Sequence, residues 1–331
     1  MFACLTRIPR SLTLASALQN RLKPALTPHV HRIPHAAPIY RRTFATSVAS
    51  KETSSAPSHV AVIGAGGNMA TALISGLLAQ QTPPVIHASS PYLHLLSHLP
   101  ESVKAHQTTS NCEACEQAQL ILLCVKPNIA PSVLSEIASV LHRSQNDPVL
   151  VSIVAGMTTA SLEKHLSLPS QPGSKLPIIR AMPNIPATTQ SSCTVICANK
   201  AAKETHIHRA QEILSAVGTV YTTDESLLAP ATGFSGAGVA FVFMMAEAFA
   251  DAAVKHGFSR AQALSMAADT IKGAGDMLQR KQHPAILRNM VESPGGVTVV
   301  GTSTLEEHAF RAAIGAAVDA AVEKARQMGD S

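Results

Sequence analysis

A glycine-rich turn between an apolar strand and a small-residue helix constrains this chain more than any other feature. The apolar run 60–63 ends at Gly64, and the turn 64–67 leads into helix-forming sequence at 70–79. Glycines let the backbone approach a pyrophosphate, and the helix N-terminus presents unpaired N–H groups to it. A purely structural turn is the alternative. Because the motif follows a strand and opens a helix, we predict dinucleotide binding.

This turn is one residue longer than the common G-x-G-x-x-A pattern, since Gly66 and Gly67 both precede Ala70. The turn is therefore expected to bulge. Cofactor choice is read after the second strand, where a carboxylate would bind the ribose hydroxyls of NAD and repel the phosphate of NADP. Ser89 and Ser90 stand there instead, so NADP is tolerated. No arginine follows at once, and the preference between NADH and NADPH stays open.

Apolar runs alternate with helical patterns through the first two thirds of the chain, which is typical of a doubly wound sheet. These runs are residues 60–63, 85–88, 120–125, 149–154, 178–182 and 194–198, and the alternation stops near Thr222. Four helices are predicted beyond it, at 237–256, 259–278, 284–291 and 302–328. We therefore predict an α/β fold, with a Rossmann-type dinucleotide-binding domain at 59–225 and an all-helical substrate and dimerisation domain at 226–331.

The first helix of the helical domain is apolar nearly all the way round, with a Met and Phe stripe at 241–245. Such a helix must be covered on every side. A small domain offers limited cover, so we predict that a partner subunit supplies the rest and that the chain forms an intertwined homodimer. Glu247 interrupts the longest apolar stretch, which stays below the ~20 residues of a membrane span. We therefore expect no membrane span.

The first fifty residues differ from the rest in charge. They hold seven of the 26 basic residues and no acid, so the remainder has 19 basic against 21 acidic residues. A body this close to neutral argues against nucleic acid as a partner. The Arg-rich, acid-free leader with its prolines is typical of a mitochondrial transit peptide at 1–45, followed by a linker at 46–58. A disordered basic tail is the alternative. The expected location is the mitochondrial matrix.

The cysteine spacing raises the question of a metal site. Cys112 and Cys115 have zinc-like spacing, but no second pair or nearby histidines complete four ligands. We expect free thiols, because a reducing compartment disfavours disulfides, and no metal.

Two further stretches carry candidate chemistry. Lys126 and the pair Ala155 and Gly156 each follow a strand at the carboxyl edge of the sheet, where such folds bind ligands. Lys126 is interpreted as a cofactor contact, with a solvated loop charge as the alternative. The turn 293–298 precedes helix-forming sequence and is suited to hold a small carboxylate on its backbone amides. An ordinary interhelical turn fits that sequence equally well.

These motifs together resemble the pyrroline-5-carboxylate reductase family from about Val60 to Met328. The matching segments are Val62-Ile63-Gly64-Ala65-Gly66, Asn68-Met69-Ala70, Val125-Lys126-Pro127, Arg180-Ala181-Met182-Pro183-Asn184, Ser235-Gly236-x-Gly238 and Ser293-Pro294-Gly295-Gly296-x-Thr298. The resemblance implies reduction of the cyclic imine Δ1-pyrroline-5-carboxylate to L-proline by NAD(P)H, the last step of proline synthesis. It also implies domain-exchanged homodimers that assemble further, often into decamers.

The resemblance also implies site residues. The cofactor positions would be Gly64, Gly66, Gly67, Asn68, Met69, Ser89, Pro91, Asn111, Val125, Lys126, Pro127, Ala155 and Gly156. The substrate positions would be Ser293, Gly295, Gly296, Val297 and Thr298, with Thr298 as the catalytic residue near the imine nitrogen. Because a protonated imine accepts hydride readily, positioning and charge complementarity would suffice without a strong acid.

Some positions depart from the family's usual residues. They are Ala237, Val239, Phe241, Lys281, Glu292 and Thr302. Lys281 and Glu292 change the charge beside the expected carboxylate site, and their effect on substrate range stays open. Two other functions therefore stand beside the first: a diverged reductase of another cyclic imine or of a 3-hydroxy acid, and a nucleotide-binding oligomer without turnover.

Overall fold

The computed structural model describes residues 56–168, 175–280 and 282–329, all within one compact unit, Ser50–Ser331. The predicted transit peptide and most of the predicted linker lie outside the described residues. The domain limits at 59–225 and 226–331 stay predictions.

Eight strands form one sheet in the order β3-β2-β1-β4-β5-β6-β7-β8. The strands are β1 His59–Ile63, β2 Val85–Ser89, β3 Gln107–Thr108, β4 Leu120–Leu123, β5 Val149–Ser152, β6 Ile178–Met182, β7 Ser192–Ala198 and β8 Gly218–Thr222. All neighbours are parallel except β6 and β7, which pair antiparallel. The doubly wound sheet is confirmed, with an antiparallel pair that the apolar runs did not indicate.

Helices cover both faces of this sheet, which explains its continuous apolar strands. Within the described residues this half has six α-helices: α1 Asn68–Leu78, α2 Glu101–Lys104, α3 Asn111–Cys115, α4 Ala130–Arg143, α5 Thr159–Leu166 and α6 Glu204–Ser215. Val60 and Val62 of β1 share a core cluster with α1 and α6. Ala61 and Ile63 point to the other face and pack with α3, α4 and α5. The sheet core is therefore complete within one chain.

The chain after the sheet is helical. Its helices are α7 Leu228–Ala231, α8 Gly238–Lys255, α9 Arg260–Gln279, α10 Pro284–Val291, α11 Val297–Glu307 and α12 Phe310–Gly329, and a π-helical turn, Thr232–Gly236, joins α7 to α8. The predicted single helix at 302–328 is wrong, because Ala309 has a φ of 54° and separates α11 from α12. A left-handed residue cannot continue a right-handed helix.

The α8 surface is largely uncovered in the single chain. Ala250 is its one fully buried residue, whereas the side chains of Phe243 and Met244 are 63% and 68% exposed. The helical stretch Glu225–Lys255 is long and apolar enough to cross a membrane by length and composition alone, and 6% of its apolar window is buried.

Candidate active site

The glycine turn after β1 has the backbone that a dinucleotide needs. Gly64 has a φ of 80°, and the amides of Gly64 and Ala65 donate to the Ser89 carbonyl at 3.0 and 2.9 Å. A Cβ on Gly64 would lie 2.8 Å from the Cys124 carbonyl oxygen. The extra residue is absorbed in the turn, where the Gly67 amide donates to the Gly64 carbonyl at 3.1 Å. The helix α1 then begins at Asn68, and Met69 is its second residue.

The end of β2 forms the edge where the cofactor's adenosine is predicted to bind. Ser89 is fully buried, and its hydroxyl donates to the Asn111 Oδ1 at 2.6 Å. The Asn111 amide in turn donates to Glu136 at 2.8 Å. Pro91 is exposed at the rim. The buried Ser89 hydroxyl is thus hydrogen-bonded to Asn111 and holds the end of β2 in place. Pro91, which is exposed, is accessible to a bound nucleotide.

The predicted nicotinamide positions lie along the same carboxyl edge. Lys126 is exposed, and its carbonyl accepts from the amides of Ile129 and Ala130 at 3.0 and 3.1 Å. Gly156 has a φ of 79°, and a Cβ there would lie 2.7 Å from the Met328 carbonyl oxygen. The end of α12 therefore touches the loop that carries Ala155 and Gly156.

A cavity of about 480 Å³ opens beside this loop. Ala155 and Gly156 line it together with Arg180 from β6 and Glu225 from the start of the helical part. The Arg180 guanidinium donates to the Glu225 carboxylate at 2.7 Å. The sequence placed Arg180 in a family motif, but it predicted no role in the site for Arg180 or for Glu225. A basic residue inside an otherwise apolar strand was the available signal.

Two of the motifs meet in the structure. The Asn184 side chain is buried, and its amide donates to the Ser235 carbonyl at 3.0 Å. Its Oδ1 accepts from the Cys193 amide at 3.0 Å. One asparagine therefore joins β7 to the π-helical turn that opens α8, next to the departures Ala237, Val239 and Phe241. Nothing in the structure of one chain explains those three replacements.

The turn at 293–298 forms the start of α11. Gly295 has a φ of 67°, and Gly296 is the N-cap, so Val297 and Thr298 lie in the first helical turn. The Gly296 amide donates to the Ser293 carbonyl at 2.9 Å. The Val297 side chain is 91% exposed. First-turn amides without helical partners are suited to bind a carboxylate, so this geometry fits the predicted cradle.

Two departures from the family pattern contact each other. The Thr302 hydroxyl donates to the Glu292 carboxylate at 2.7 Å, and the Arg288 Nε lies 3.5 Å from it. The negative charge of Glu292, just before the cradle, is thus paired with Arg288 and Thr302 of the same chain. Lys281 lies outside the described residues.

The structure brings the cofactor positions together along one sheet edge, but it does not place the cradle there. The described residues around the cavity at Gly156 come from the sheet, α7, the π-helical turn and α12, and residues 293–298 are not among them. A second cavity of about 360 Å³ lies between α10 and α11 and is lined by His283 and Thr302. Within one chain the two halves of the predicted site are separate.

The described ranges hold five free cysteines and no group of three His, Cys, Asp or Glu side chains suited to a metal ion. Burial raises the pKa of Cys115 to about 12, which makes a thiolate ligand unfavourable there.

Comparisons with known proteins identify relatives of both halves of the chain. A family model described as pyrroline-5-carboxylate reductase dimerisation matches residues 225–328, and one described as NADP oxidoreductase, coenzyme F420-dependent, matches residues 59–156. The pyrroline-5-carboxylate reductase of Synechocystis sp. is 36% identical over 267 residues, covering 80% of this chain and 96% of that protein.

Solved structures show the same likeness. The pyrroline-5-carboxylate reductase of Coxiella burnetii superposes with a TM-score of 0.76 at 31% identity and covers 83% of this chain and 99% of its own. The Plasmodium falciparum pyrroline carboxylate reductase with NADP bound gives 0.70 at 30% identity, covering 82% and 98%. Sequence and structure agree over nearly the full length of these relatives, and the chain therefore belongs to the pyrroline-5-carboxylate reductase family.

Proposed function

We propose that this protein reduces Δ1-pyrroline-5-carboxylate to L-proline with NAD(P)H. One observation carries the proposal: a single chain has both a dinucleotide turn at Gly64 and an exposed cradle of helix-start amides at 295–298. The first suits a nicotinamide cofactor and the second suits a small carboxylate. The bound cofactor supplies the hydride.

The residues of the chain perform the remaining tasks. The amides of Gly295, Val297 and Thr298 hold the substrate carboxylate, and the Thr298 hydroxyl lies near the ring nitrogen. The Gly296 amide donates to the Ser293 carbonyl and fixes the turn. The hydride forms a new C–H bond at the carbon of the protonated C=N bond, and the π-electron pair of that bond becomes the lone pair on the nitrogen of proline. Since the imine is protonated before transfer, Thr298 orients the nitrogen and is not required as a strong acid.

We propose that each cradle serves the cofactor edge of its partner in a homodimer. Support comes from the separation of the two halves in one chain and from the exposed α8 face. A mixing experiment tests this: a Gly295→Val subunit, which has a branched side chain at a φ of 67° in the cradle, and a Gly64→Val subunit should each lack activity alone. Reassembled dimers of both should recover about a quarter of wild-type activity, because half are mixed and each mixed dimer has one intact site. No recovery, with mixed dimers demonstrated by mass, would contradict the shared site.

The activity itself is tested with purified protein that begins at residue 46. NAD(P)H oxidation should depend on Δ1-pyrroline-5-carboxylate and yield proline. A panel with a six-membered cyclic imine and a 3-hydroxy acid distinguishes the diverged reductase, which would prefer another member. Normal cofactor binding without turnover on any member would favour the non-catalytic oligomer. Parallel titrations with NADH and NADPH decide the cofactor preference.

Location and higher assembly are further proposals. The Arg-rich leader supports a transit peptide at 1–45 and import into the mitochondrial matrix. N-terminal sequencing of the mature protein from isolated mitochondria tests it, and an intact Met1 in the matrix would reject cleavage. Assembly into decamers is supported by the family resemblance, and light scattering would measure the oligomer mass.

A further inference from the structure

We infer that Glu225 is a positioning residue, which ties the loop at 153–158 to the helical half and thereby fixes the nicotinamide end of the cofactor. The inference rests on the proposed function, because it assigns that loop to the cofactor. Glu225 opens the short 3₁₀ turn Glu225–Leu227 that leads into α7, and the matched dimerisation segment also begins at residue 225, one residue before the limit predicted at 226. Its partners Arg180 and Thr159 belong to the sheet half.

The Glu225 carboxylate accepts three hydrogen bonds from the sheet half. One oxygen accepts from the Thr159 amide and from the Arg180 guanidinium, both at 2.7 Å. The other accepts from the Thr159 hydroxyl at 2.6 Å. Bonds of this length to an ionised group are stronger than neutral ones. One side chain thus joins the helical half to both β6 and the first residue of α5.

Thr159 connects this carboxylate to the cofactor loop. Ala155 and Gly156 lie only a few residues before α5, whose N-cap is Thr158. The first-turn amide of Thr159 has no partner within its helix, and Glu225 occupies it. On the other flank, Gly156 lies against the Met328 carbonyl. The helical half therefore contacts this loop at Gly156 and contacts Thr159, the residue that follows it, and neither contact lies in the predicted cradle.

The charge state favours a permanent contact. Burial alone would raise the pKa of Glu225, but the hydrogen bonds from Thr159 and Arg180 outweigh it and hold that pKa below the ordinary glutamate value. The Arg180 side chain is 15% exposed and the Glu225 side chain 34% exposed. Glu225 is therefore ionised throughout the neutral range. Its negative charge pairs with the positive charge of Arg180, so this arginine is not available to attract the substrate carboxylate.

Loss of the contact should affect one end of the cofactor. The turn at Gly64 and the edge at Ser89 are built without Glu225, so the affinity for the adenosine half should not change. The pyridine ring would lose the fixed loop beside it. Since displacements of about 1 Å can cost about 100-fold in rate, we expect hydride transfer to slow by roughly 10- to 100-fold.

The experiment compares Glu225→Gln with a matched carboxylate variant, Asp147→Asn. Asp147 accepts from the His206 ring at 2.9 Å and also has a pKa below its ordinary value, since this bond and nearby charges outweigh burial. It does not line the cavity beside Gly156. For each variant, the dissociation constants of NADPH and of ADP-ribose, which lacks the pyridine, are measured. The deuterium isotope effect with cofactor labelled at the transferred position is measured as well.

For Glu225→Gln we expect weaker NADPH binding, unchanged ADP-ribose binding, a lower kcat and a larger isotope effect. Thr159→Val should show the same pattern more weakly. Thr159→Ser keeps the hydroxyl and should have the wild-type values. Asp147→Asn should lower thermal stability and leave all four quantities as in the wild type. If Glu225→Gln does not fold, Thr159→Val tests the inference alone.

Equal losses for NADPH and ADP-ribose, or an unchanged isotope effect in a destabilised variant, would overturn the inference and leave Glu225 a structural residue. The binding measurements do not need Δ1-pyrroline-5-carboxylate. A failure of the proposed function would appear as a wild-type protein without turnover. A failure of this inference would appear as a Glu225→Gln protein whose affinities for NADPH and ADP-ribose change by the same factor.

Discussion

The sheet half and the helical half of this chain differ in how much of their cores one chain completes. Every residue of β4 is buried, and β1 is covered on both faces by its own helices. By contrast, α10, α11 and α12 contain no fully buried residue among those described. The sheet half is thus specified by contacts within the chain, whereas the helical half requires a second subunit.

The largest effect is expected at the exposed α8 face. Phe243→Glu places a charge on a residue that is 63% exposed in one chain and that the proposed dimer would cover. The dimer should dissociate, and activity should fall with it, because burying an unpaired charge is unfavourable by several kcal/mol. Sedimentation measures the mass.

The control for this variant lies on the sheet half. Tyr221→Ser replaces an aromatic residue that is 54% exposed on β8. It should leave the dimer intact. A Phe243→Glu protein that remained dimeric would contradict the assignment of the α8 face to the subunit contact.

The next effect concerns the glycine turn. Gly64→Ala adds a Cβ 2.8 Å from the Cys124 carbonyl oxygen at a φ of 80°. Backbone strain of this kind costs about 1 to 3 kcal/mol, and the contact adds to it. Thermal unfolding should shift down. Gly67→Ala is the matched control, since its φ is −81° and the nearest atom would lie 3.5 Å away. Equal shifts for both variants would show that the turn has a different backbone.

A smaller effect is expected on acidification, at three histidines in the sheet half. The His59 Nδ1 lies 3.0 Å from the His87 Nε2, and the ring centroids of His87 and His106 are 5.2 Å apart. Burial, followed by the charges of His106 and His59, lowers the pKa of His87 from 6.5. The unfolded chain binds a proton there first, so stability should be complete above the unfolded pKa and decrease as the pH falls towards the folded one.

Urea unfolding at about pH 7.5 and about pH 5.5 measures this loss. His87→Gln should reduce the difference between the two conditions. An unchanged difference in the variant would assign the acid sensitivity to other groups.

The smallest effect is chemical and leaves stability unchanged. Burial raises the pKa of Cys115 to about 12 and that of Cys197 to about 11. Since the thiolate is the reactive form, neither should be alkylated in the native protein at about pH 8. Peptide mapping after iodoacetamide treatment locates the modified thiols. Modification of Cys115 as fast as in urea would show that the sheet half opens locally.

The sequence predicted the sheet well where strands are buried on both faces, as in β4 and β5, because continuous apolar runs are typical of such strands. It did not predict β3, which has two residues, or the antiparallel direction of β7, which depends on tertiary pairing. The break at Ala309 was missed because alanine is the strongest helix former and rarely adopts a left-handed conformation.

For the site, spacing located the turns at 64–67 and 293–298, since both are local backbone features, although α11 begins at Val297 and not at the predicted residue 302. It did not find the contact between Arg180 and Glu225, which are 45 residues apart and meet only when β6 and the helical part are folded. The Thr302 bond to Glu292 was missed for a similar reason, although both residues had been noted separately as departures.

The break between α11 and α12 affects how far the activity of one subunit depends on its partner. α12 packs against α7 and the π-helical turn of its own chain, whereas α11, which carries the predicted cradle, packs against α12. The left-handed Ala309 separates the two helices. If the site is shared between subunits as proposed, a longer and more flexible connection at this point would let the cradle reach the cofactor edge of its own chain, and one subunit would then suffice for turnover.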